Sequence, residues 1–213
     1  MIAVKAGADP ALSADAARPP RAARPEAKEH RMATLAAAAR PRYAVPVRWL
    51  HWLGFILVAL AYLFIELKGY VPKGTPLREA LKQYHFWAGL GVLLLLLPRV
   101  WARARHGTPP ITPTPAGWME LLGRLTHLAL YLFLLVQPLL GLVVLQLDGG
   151  SVNFPGGLAL PSFLAAPNHE LAHDFEEIHE TLGEIFYWVI GLHIAAALWH
   201  HFVSRDDTLK RML

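Results

Sequence analysis

Four long runs of apolar residues, separated by shorter polar connections, dominate the chain from residue 43 onward. They cover about residues 45–65, 84–101, 118–147 and 178–203. Each run reaches or approaches the roughly 20 residues that a helix needs to cross the hydrocarbon core of a bilayer. Because a backbone in lipid must satisfy its own hydrogen bonds, we expect these runs to be helices. The pattern therefore predicts an all-α fold, an integral membrane four-helix bundle.

Residues 1–42 differ from the rest in composition, being rich in Ala, Arg and Pro and lacking Phe, Trp and Tyr. Such a segment cannot bury enough apolar surface to offset the entropy of ordering. We therefore expect a disordered cytoplasmic tail followed by one membrane domain, residues 43–213. A secretory signal is not indicated, because the longest apolar run of the tail, residues 32–39, is short and is followed by Arg40. Met32 is a second candidate for the start of translation.

The distribution of Lys and Arg predicts the orientation of the bundle. Of the 20 Lys and Arg residues, nine precede or begin the first helix, four lie in the second connection and three lie at the C-terminus. The first connection has the other four, and the third connection has none. Since positive charge is retained on the cytoplasmic side, both termini are expected in the cytoplasm.

Composition excludes several classes of chemistry. There is no cysteine, which excludes disulfides, iron–sulfur clusters, thiolate zinc sites and covalently attached haem. The net charge of +4 is compatible with nucleic acid or with an anionic membrane surface. The one-sided distribution of the charge favours the lipid bilayer as partner and gives no reason to expect nucleic acid. We find no glycine-rich dinucleotide motif and no P-loop.

Histidines inside the apolar runs are the main candidates for chemistry, because an ionisable group in a membrane is costly. By depth, His51 and His193 belong to the inner half of the bilayer. His85 and His179 open the second and fourth helices on the outer side. The spacing of 14 residues between His179 and His193 is close to four helical turns, so both side chains project from one face. This predicts two sites stacked across the bilayer, each with two imidazoles from different helices.

Two imidazoles suit some cofactors better than others. Imidazole binds Zn, Cu and Fe, but a zinc site needs three or four protein ligands. A haem needs only two, because the porphyrin supplies the other four nitrogens. The alternative is that the histidines are structural and form hydrogen bonds between helices. For His127, in the inner half of the third helix, packing and a place beside a haem propionate or a quinone are equally open.

The segment His169-Glu170-Leu171-Ala172-His173 matches the H-E-x-x-H motif of zinc proteases, and His179 falls at the third ligand position of a longer form. Glu176 replaces the glycine of that form. The motif is expected in a connection of about thirty residues, too short for a protease domain around it. We therefore expect no zinc hydrolase, and a structural or adventitious metal site stays as an alternative.

Several stretches carry a family resemblance. They are RWLHW at residues 48–52, KGYVPKG at 68–74, HFWAG at 85–89, GTPPITPTP at 107–115, the H-x-x-x-Y pair His127 and Tyr131, IGLHIAAALWHHF at 190–202, and DDTLKRM at 206–212. Over about residues 43–213 the chain resembles the bacterial cytochrome b561 family, and most closely its superoxide oxidase branch.

The resemblance implies a four-helix bundle of the bacterial inner membrane that binds two b-type haems. The axial iron ligands it implies are His51, His85, His179 and His193. One departure follows the second-helix histidine, where Phe86 and Trp87 stand in place of the Lys and Ser that are frequent in the family. The resemblance also implies an enzyme, a superoxide:ubiquinone oxidoreductase, with ubiquinone as electron acceptor.

The four Lys and Arg residues expected on the outer side have the charge to attract an anionic substrate. All four lie shortly before or just at the start of the second apolar run: Lys68, Lys73, Arg78 and Lys82. Such a cluster near a cofactor steers small anions and raises association rates by roughly 10–10³. The alternative is that these cations bind lipid headgroups or pair with the acidic residues of the third connection.

A second function stays open at this level. Related di-haem cytochromes relay electrons between quinone and a docked dehydrogenase or hydrogenase. The outer connection at residues 148–178 is long enough to dock such a redox partner subunit.

Overall fold

The structure, a computed structural model, describes residues 42–164 and 166–213. Four long helices account for most of these residues. They are α1, Val45–Gly69; α2, Pro76–His106; α3, Gly117–Leu147; and α4, His169–Phe202. Apart from one isolated bridge between Asn153 and Ala159, the described residues contain no β-structure. The expected tail, residues 1–42, lies outside the described residues except for Arg42.

All four helices are long and apolar enough to cross a membrane. Their outward faces carry large apolar side chains that no other part of the described protein covers. Leu97, Trp188 and Leu192, for example, are 77%, 78% and 68% exposed. Such faces are stable against lipid and not against water. The fold is therefore that of a multi-pass membrane protein, as the apolar runs predicted.

Two helices begin earlier than the apolar runs indicated. α2 begins at Pro76, where Thr75 Oγ1 accepts a hydrogen bond from the Arg78 backbone N–H at 3.4 Å. α4 begins at His169, where Asn168 Oδ1 accepts from the Leu171 N–H at 3.0 Å. The prediction that His85 and His179 open their helices is therefore wrong, since each lies roughly two to three turns inside. At the N-terminus of each helix, polar turns with a capping residue precede the apolar run and make the helix longer than that run.

The far end of α2 also extends further than expected. α2 continues to His106 and stops at Gly107, whose φ of 67° lies in the left-handed region that favours glycine. Arg99, Arg103 and Arg105 therefore lie on the helix, not in the second connection as expected from the sequence. Arg99 in particular lies seven residues before the end of the helix, where its side chain can reach the bundle interior.

Close backbone contacts join α1 to α2, α3 to α4, and α2 to α3. The start of α1 and the C-terminal residues meet at one end of the bundle. The Tyr43 N–H donates to the Arg211 carbonyl at 3.0 Å, and Trp52 Nε1 donates to the Met212 carbonyl at 2.8 Å. The Asp207 N–H donates to the Thr112 carbonyl of the second connection at 3.2 Å. We call this end the terminal end, and the opposite end, with the first and third connections, the loop end.

Residues 206–213 form a buried clasp at the terminal end. Asp207 is fully buried, and its Oδ1 accepts a hydrogen bond from the Thr112 N–H at 2.9 Å. Arg211 Nε lies 3.5 Å from the same carboxylate, and the Arg211 guanidinium also donates to the Pro109 carbonyl. The C-terminus is thereby fixed to the connection between α2 and α3.

Replacing Asp207 by Ala should destabilise the protein by about 3–5 kcal/mol, because Arg211 would become a buried charge without a partner. The measurement is the thermal unfolding midpoint of the detergent-solubilised protein. Lys210→Ala, an exposed change in the same clasp, is the control and should leave the midpoint within experimental error. Equal midpoints for both variants would show that the clasp contributes little to stability.

Candidate functional site

The structure brings the four candidate histidines together as two pairs, one near each end of the bundle. At the terminal end the ring centroids of His51 and His193 are 6.4 Å apart, with an interplanar angle of 65°. At the loop end those of His85 and His179 are 6.2 Å apart, with an angle of 87°. Each pair joins two helices that are not neighbours in sequence. This is the pairing that depth along the helices predicted.

The spacing within each pair fits one metal ion held between two rings. With a metal–nitrogen bond of about 2 Å on each side, trans imidazoles have ring centroids roughly 6 Å apart. Within residues 42–164 and 166–213, no group of three or more His, Cys, Asp or Glu side chains is arranged to hold a metal ion. The pairs therefore suit a cofactor that brings its own equatorial ligands, which is the property of haem.

At the loop end, His85 has the hydrogen bonding that a metal ligand needs. His85 Nδ1 lies 2.8 Å from the Ala61 carbonyl, which can only accept, so the proton resides on Nδ1 and Nε2 is free to bind a metal. His179 packs against Gly141, where an added Cβ would lie 3.1 Å from His179 Cε1. His179 Nδ1 is buried without a hydrogen-bond partner in the described protein. Both rings are therefore held at the bundle interior.

A cavity of about 350 Å³ adjoins the loop-end pair. This volume lies within the range of small-molecule and cofactor sites. Its wall is largely apolar and includes Gly89, Gly141 and Gly183, which let a flat ring approach the helices closely. An added Cβ at Gly89 would meet nothing within 4 Å, so space beside His85 is open. The cavity and the two rings together form a site that a haem fits.

At the terminal end the second pair is part of a larger cluster to which all four helices contribute. Arg99 Nη2 on α2 donates to His51 Nδ1 on α1 at 2.9 Å. On α3, the His127 ring centroid lies 5.5 Å from that of His193, and the Tyr131 ring lies 5.4 Å from the Arg99 guanidinium. His127 therefore contacts a candidate ligand directly, and Arg99 was not among the residues selected from the sequence.

The four Lys and Arg residues that were expected on the outer side make different contacts in the structure. Arg78 Nη1 donates to the carbonyls of Lys68 and Val71, at 2.6 and 2.8 Å, and so holds the first connection in place. Lys82 Nζ lies 5.9 Å from the Phe86 ring centroid. Of the four, only Lys68 lines the loop-end cavity, and Lys73 lies in the exposed connection. Three glutamates line the same cavity: Glu66, Glu180 and Glu184.

A tyrosine pair at the cavity was also missed. Tyr187 Oη donates to Glu66 Oε1 at 2.7 Å, and Tyr62 Oη donates to the Gly183 carbonyl at 2.8 Å. The two tyrosine rings are 4.2 Å apart and join α1 to α4. A signal was present in the sequence, since Glu66 is an acidic residue at the end of an apolar run.

The H-E-x-x-H motif lies on the first turns of α4, not in a connection as expected, because the Asn168 cap starts the helix ahead of it. His169 Nδ1 is 3.1 Å from Asp148 Oδ1, and His173 Nδ1 is 3.7 Å from Glu177 Oε1. Both histidines are exposed. His179 points instead to His85, so the three histidines of the motif do not converge.

A family model described as prokaryotic cytochrome b561 matches residues 42–213. The chain belongs to the prokaryotic cytochrome b561 family. It is 35% identical over 172 residues to cytochrome b561 homolog 1 of Escherichia coli K12, covering 81% of this chain and 97% of the relative. It is 37% identical over 165 residues to a Yersinia pestis protein named probable superoxide oxidase CybB, covering 77% and 91%.

Cytochrome b561 homolog 2 of Escherichia coli K12 is 30% identical over 188 residues, covering 81% of this chain and 91% of the relative. All three relatives are matched over most of their length, and the family match spans the whole described bundle. Family membership makes this chain a membrane protein that binds haem b, and the family resemblance inferred from the sequence is confirmed.

Gly141→Val should reduce the haem-to-protein ratio, because the new side chain occupies the space of the His179 imidazole. Gly123→Val is the matched control on the same helix, since an added Cβ there meets nothing within 4 Å. The ratio is measured from the absorbance of the extracted haem against protein mass. A Gly141→Val protein with the full ratio would show that His179 is not held where haem binds.

Proposed function

We propose that this protein is a di-haem cytochrome that oxidises superoxide and passes the electrons to ubiquinone. One haem b is held by His85 and His179 near the loop end, and the other by His51 and His193 near the terminal end. The observation that carries the proposal is the pair of histidine sites at haem-compatible spacing, 6.2 and 6.4 Å, near the two ends of one bundle. When bound, haem b supplies a one-electron carrier whose iron has no free position for oxygen.

We further propose that the terminal end faces the cytoplasm and the loop end faces the periplasm across the inner membrane. The support is electrostatic. Of the 13 Lys and Arg residues within residues 42–164 and 166–213, four, in residues 68–82, belong to the loop end, and the other nine belong to the terminal end. Retention of positive charge on the cytoplasmic side then gives this orientation, with residues 43–213 as the membrane domain.

The donor is proposed from two observations. A relative of 37% identity is named probable superoxide oxidase CybB, and a cation lines the cavity beside His85. Lys68 is that cation, and the charges of Arg78 and Lys82 lie close enough to act on it. Superoxide is a small anion, so Lys68 attracts it towards the site against the three glutamates of the cavity.

The overall reaction balances without a flavin or a nicotinamide. Two superoxide anions each lose one electron and become molecular oxygen. One ubiquinone takes up the two electrons and two protons and becomes ubiquinol. The chain's own residues hold the carriers apart along α4, where 14 residues separate His179 from His193, or about 21 Å of helix. Apolar helix faces exclude water between the two sites.

The alternative is a relay subunit that docks a dehydrogenase at the third connection. This connection packs against α2 of the same protein: Trp87 Nε1 donates to the Asn153 carbonyl at 2.8 Å, and Phe154 stacks on Trp87. That packing favours a self-contained protein. Leu158 and Phe163 are nevertheless 71% and 72% exposed and offer the apolar surface that a partner would need.

The test is stopped-flow spectroscopy of the purified protein in a superoxide flux. We expect rapid haem reduction, abolished by superoxide dismutase, and reoxidation when ubiquinone is added. If the haem stays oxidised under superoxide but accepts electrons from ubiquinol, the oxidase is wrong and the relay subunit becomes the better account.

Lys68→Glu should slow haem reduction by superoxide about tenfold at low ionic strength, because the cavity then carries only negative charge. The same charge change at the terminal end, Lys210→Glu, is the control and should have little effect. The measurement is the second-order rate as a function of salt concentration. An unchanged rate and salt dependence in Lys68→Glu would remove Lys68 from the path of the anion.

A further inference from the structure

Arg99 is a charged side chain within the membrane-spanning helix α2, and two other helices, α1 and α3, contact it. Its Nη2 atom donates to His51 Nδ1 at 2.9 Å. Its guanidinium lies over the Tyr131 ring at 5.4 Å, and its Nη1 lies 3.2 Å from where a Cβ on Gly54 would be. The glycine on α1 therefore provides space for the guanidinium, and the tyrosine on α3 supports it from another side.

Within the described residues Arg99 forms no ion pair. The carboxylates at the terminal end are engaged elsewhere. Asp206 accepts from His200 at 2.5 Å, and Asp207 accepts from Thr112. Glu120 pairs with Arg124 at 2.6 Å. An arginine inside a membrane is strongly disfavoured without a compensating anion, so its presence calls for one.

The contact that Arg99 makes with His51 is a poor substitute for an anion. Arginine has five donors and no acceptor, so His51 Nδ1 must accept, and the proton of the neutral ring then lies on Nε2. That arrangement blocks the nitrogen that a metal would bind. At the loop end the opposite holds, because His85 donates from Nδ1 to the Ala61 carbonyl and leaves Nε2 free. The two pairs therefore differ in which ring nitrogen carries the proton.

We propose that Arg99 binds a propionate carboxylate of the haem held between His51 and His193. This inference rests on the proposed function. A planar guanidinium matches a carboxylate in a bidentate, charge-assisted geometry, which neither a histidine nor a neutral quinone offers. When Arg99 turns to the carboxylate, His51 Nδ1 can carry the proton and its Nε2 can bind iron.

The same contacts explain the H-x-x-x-Y pair on α3. His127 and Tyr131 are four residues apart, so they share one helix face. The His127 ring contacts the ligand His193, and the Tyr131 ring supports the guanidinium of Arg99. Both are positioning residues for the terminal-end site, and Arg99 is its anion-binding residue.

The experiment compares Arg99→Gln with the wild type in the full-length protein, prepared without haem and reconstituted with haem b or with its dimethyl ester. The ester lacks both carboxylates. We expect Arg99→Gln to bind about half as much haem b as the wild type, because only the loop-end site keeps its full affinity. The wild type should bind the ester as poorly as Arg99→Gln binds haem b, and Arg99→Gln should lose nothing further with the ester.

A redox titration gives a second readout. Any terminal-end haem that Arg99→Gln retains should show a tenfold lower ratio of reduced to oxidised form at a fixed potential, equivalent to a fall of about 59 mV for a one-electron couple. Arg99→Lys keeps the charge without the bidentate geometry and should be intermediate. Arg105→Gln is the matched control, because it removes an exposed arginine from the same helix.

Failure of the contact between Arg99 and the propionate, which we call the anchor, is distinguishable from failure of the proposed function. If the wild type holds two haems, and Arg99→Gln or the ester leaves both in place at unchanged potentials, the anchor alone is wrong. Haem loss in Arg99→Gln with normal ester binding to the wild type would also overturn it, in favour of a lipid phosphate as the anion. If the wild type holds a single haem that survives His51→Ala, the two-haem function fails and the anchor fails with it.

Discussion

A polar group inside lipid must find its partner within the protein, and the interior of this bundle depends on that constraint. Three side chains of the interior satisfy it by bonding a carbonyl of another helix. His85 bonds the Ala61 carbonyl, Tyr62 bonds the Gly183 carbonyl, and Gln137 bonds the His179 carbonyl at 2.7 Å. Each uses the second lone pair of a carbonyl whose helix is otherwise intact. Polar contacts therefore join the helices, while most large apolar side chains face lipid.

The two ends of the bundle differ in charge, and in the proposed function this difference would give electron transfer a direction. Glu66, Glu180 and Glu184 outnumber Lys68 in the cavity at the loop end, whereas Arg99 lies at the terminal-end pair. An added electron is disfavoured beside carboxylates and favoured beside a guanidinium. In the proposed function the carrier near the terminal end is thus the better acceptor, so electrons are expected to move away from the loop end, where superoxide arrives.

The four helices and the histidine pairing could be predicted because both depend on regular spacing. An apolar run of about 20 residues is long enough to cross a membrane as one helix. Two residues that are 14 positions apart are separated by close to four helical turns, so they lie on the same helix face. The first residues of α2 and α4 could not be predicted in this way, because Thr75 and Asn168 cap polar turns that lie outside the apolar runs. Arg99 was overlooked because it was counted as a charge that sets orientation. Only the packing of α1 and α3 around it shows that its side chain points inward.

The environment of a histidine, more than the motif around it, decides its chemistry here. His169 and His173 have the spacing of a zinc site, but they lie on the exposed first turns of α4 and pair with nearby acidic residues. Water satisfies such groups at little cost, so the spacing alone carries no requirement for a metal. His179, six residues after His173 on α4, faces His85 in the bundle interior, and its Nδ1 is buried without a hydrogen-bond partner in the described protein. There an unpaired nitrogen is costly, so the burial of His179 demands a compensating interaction that the exposed motif does not.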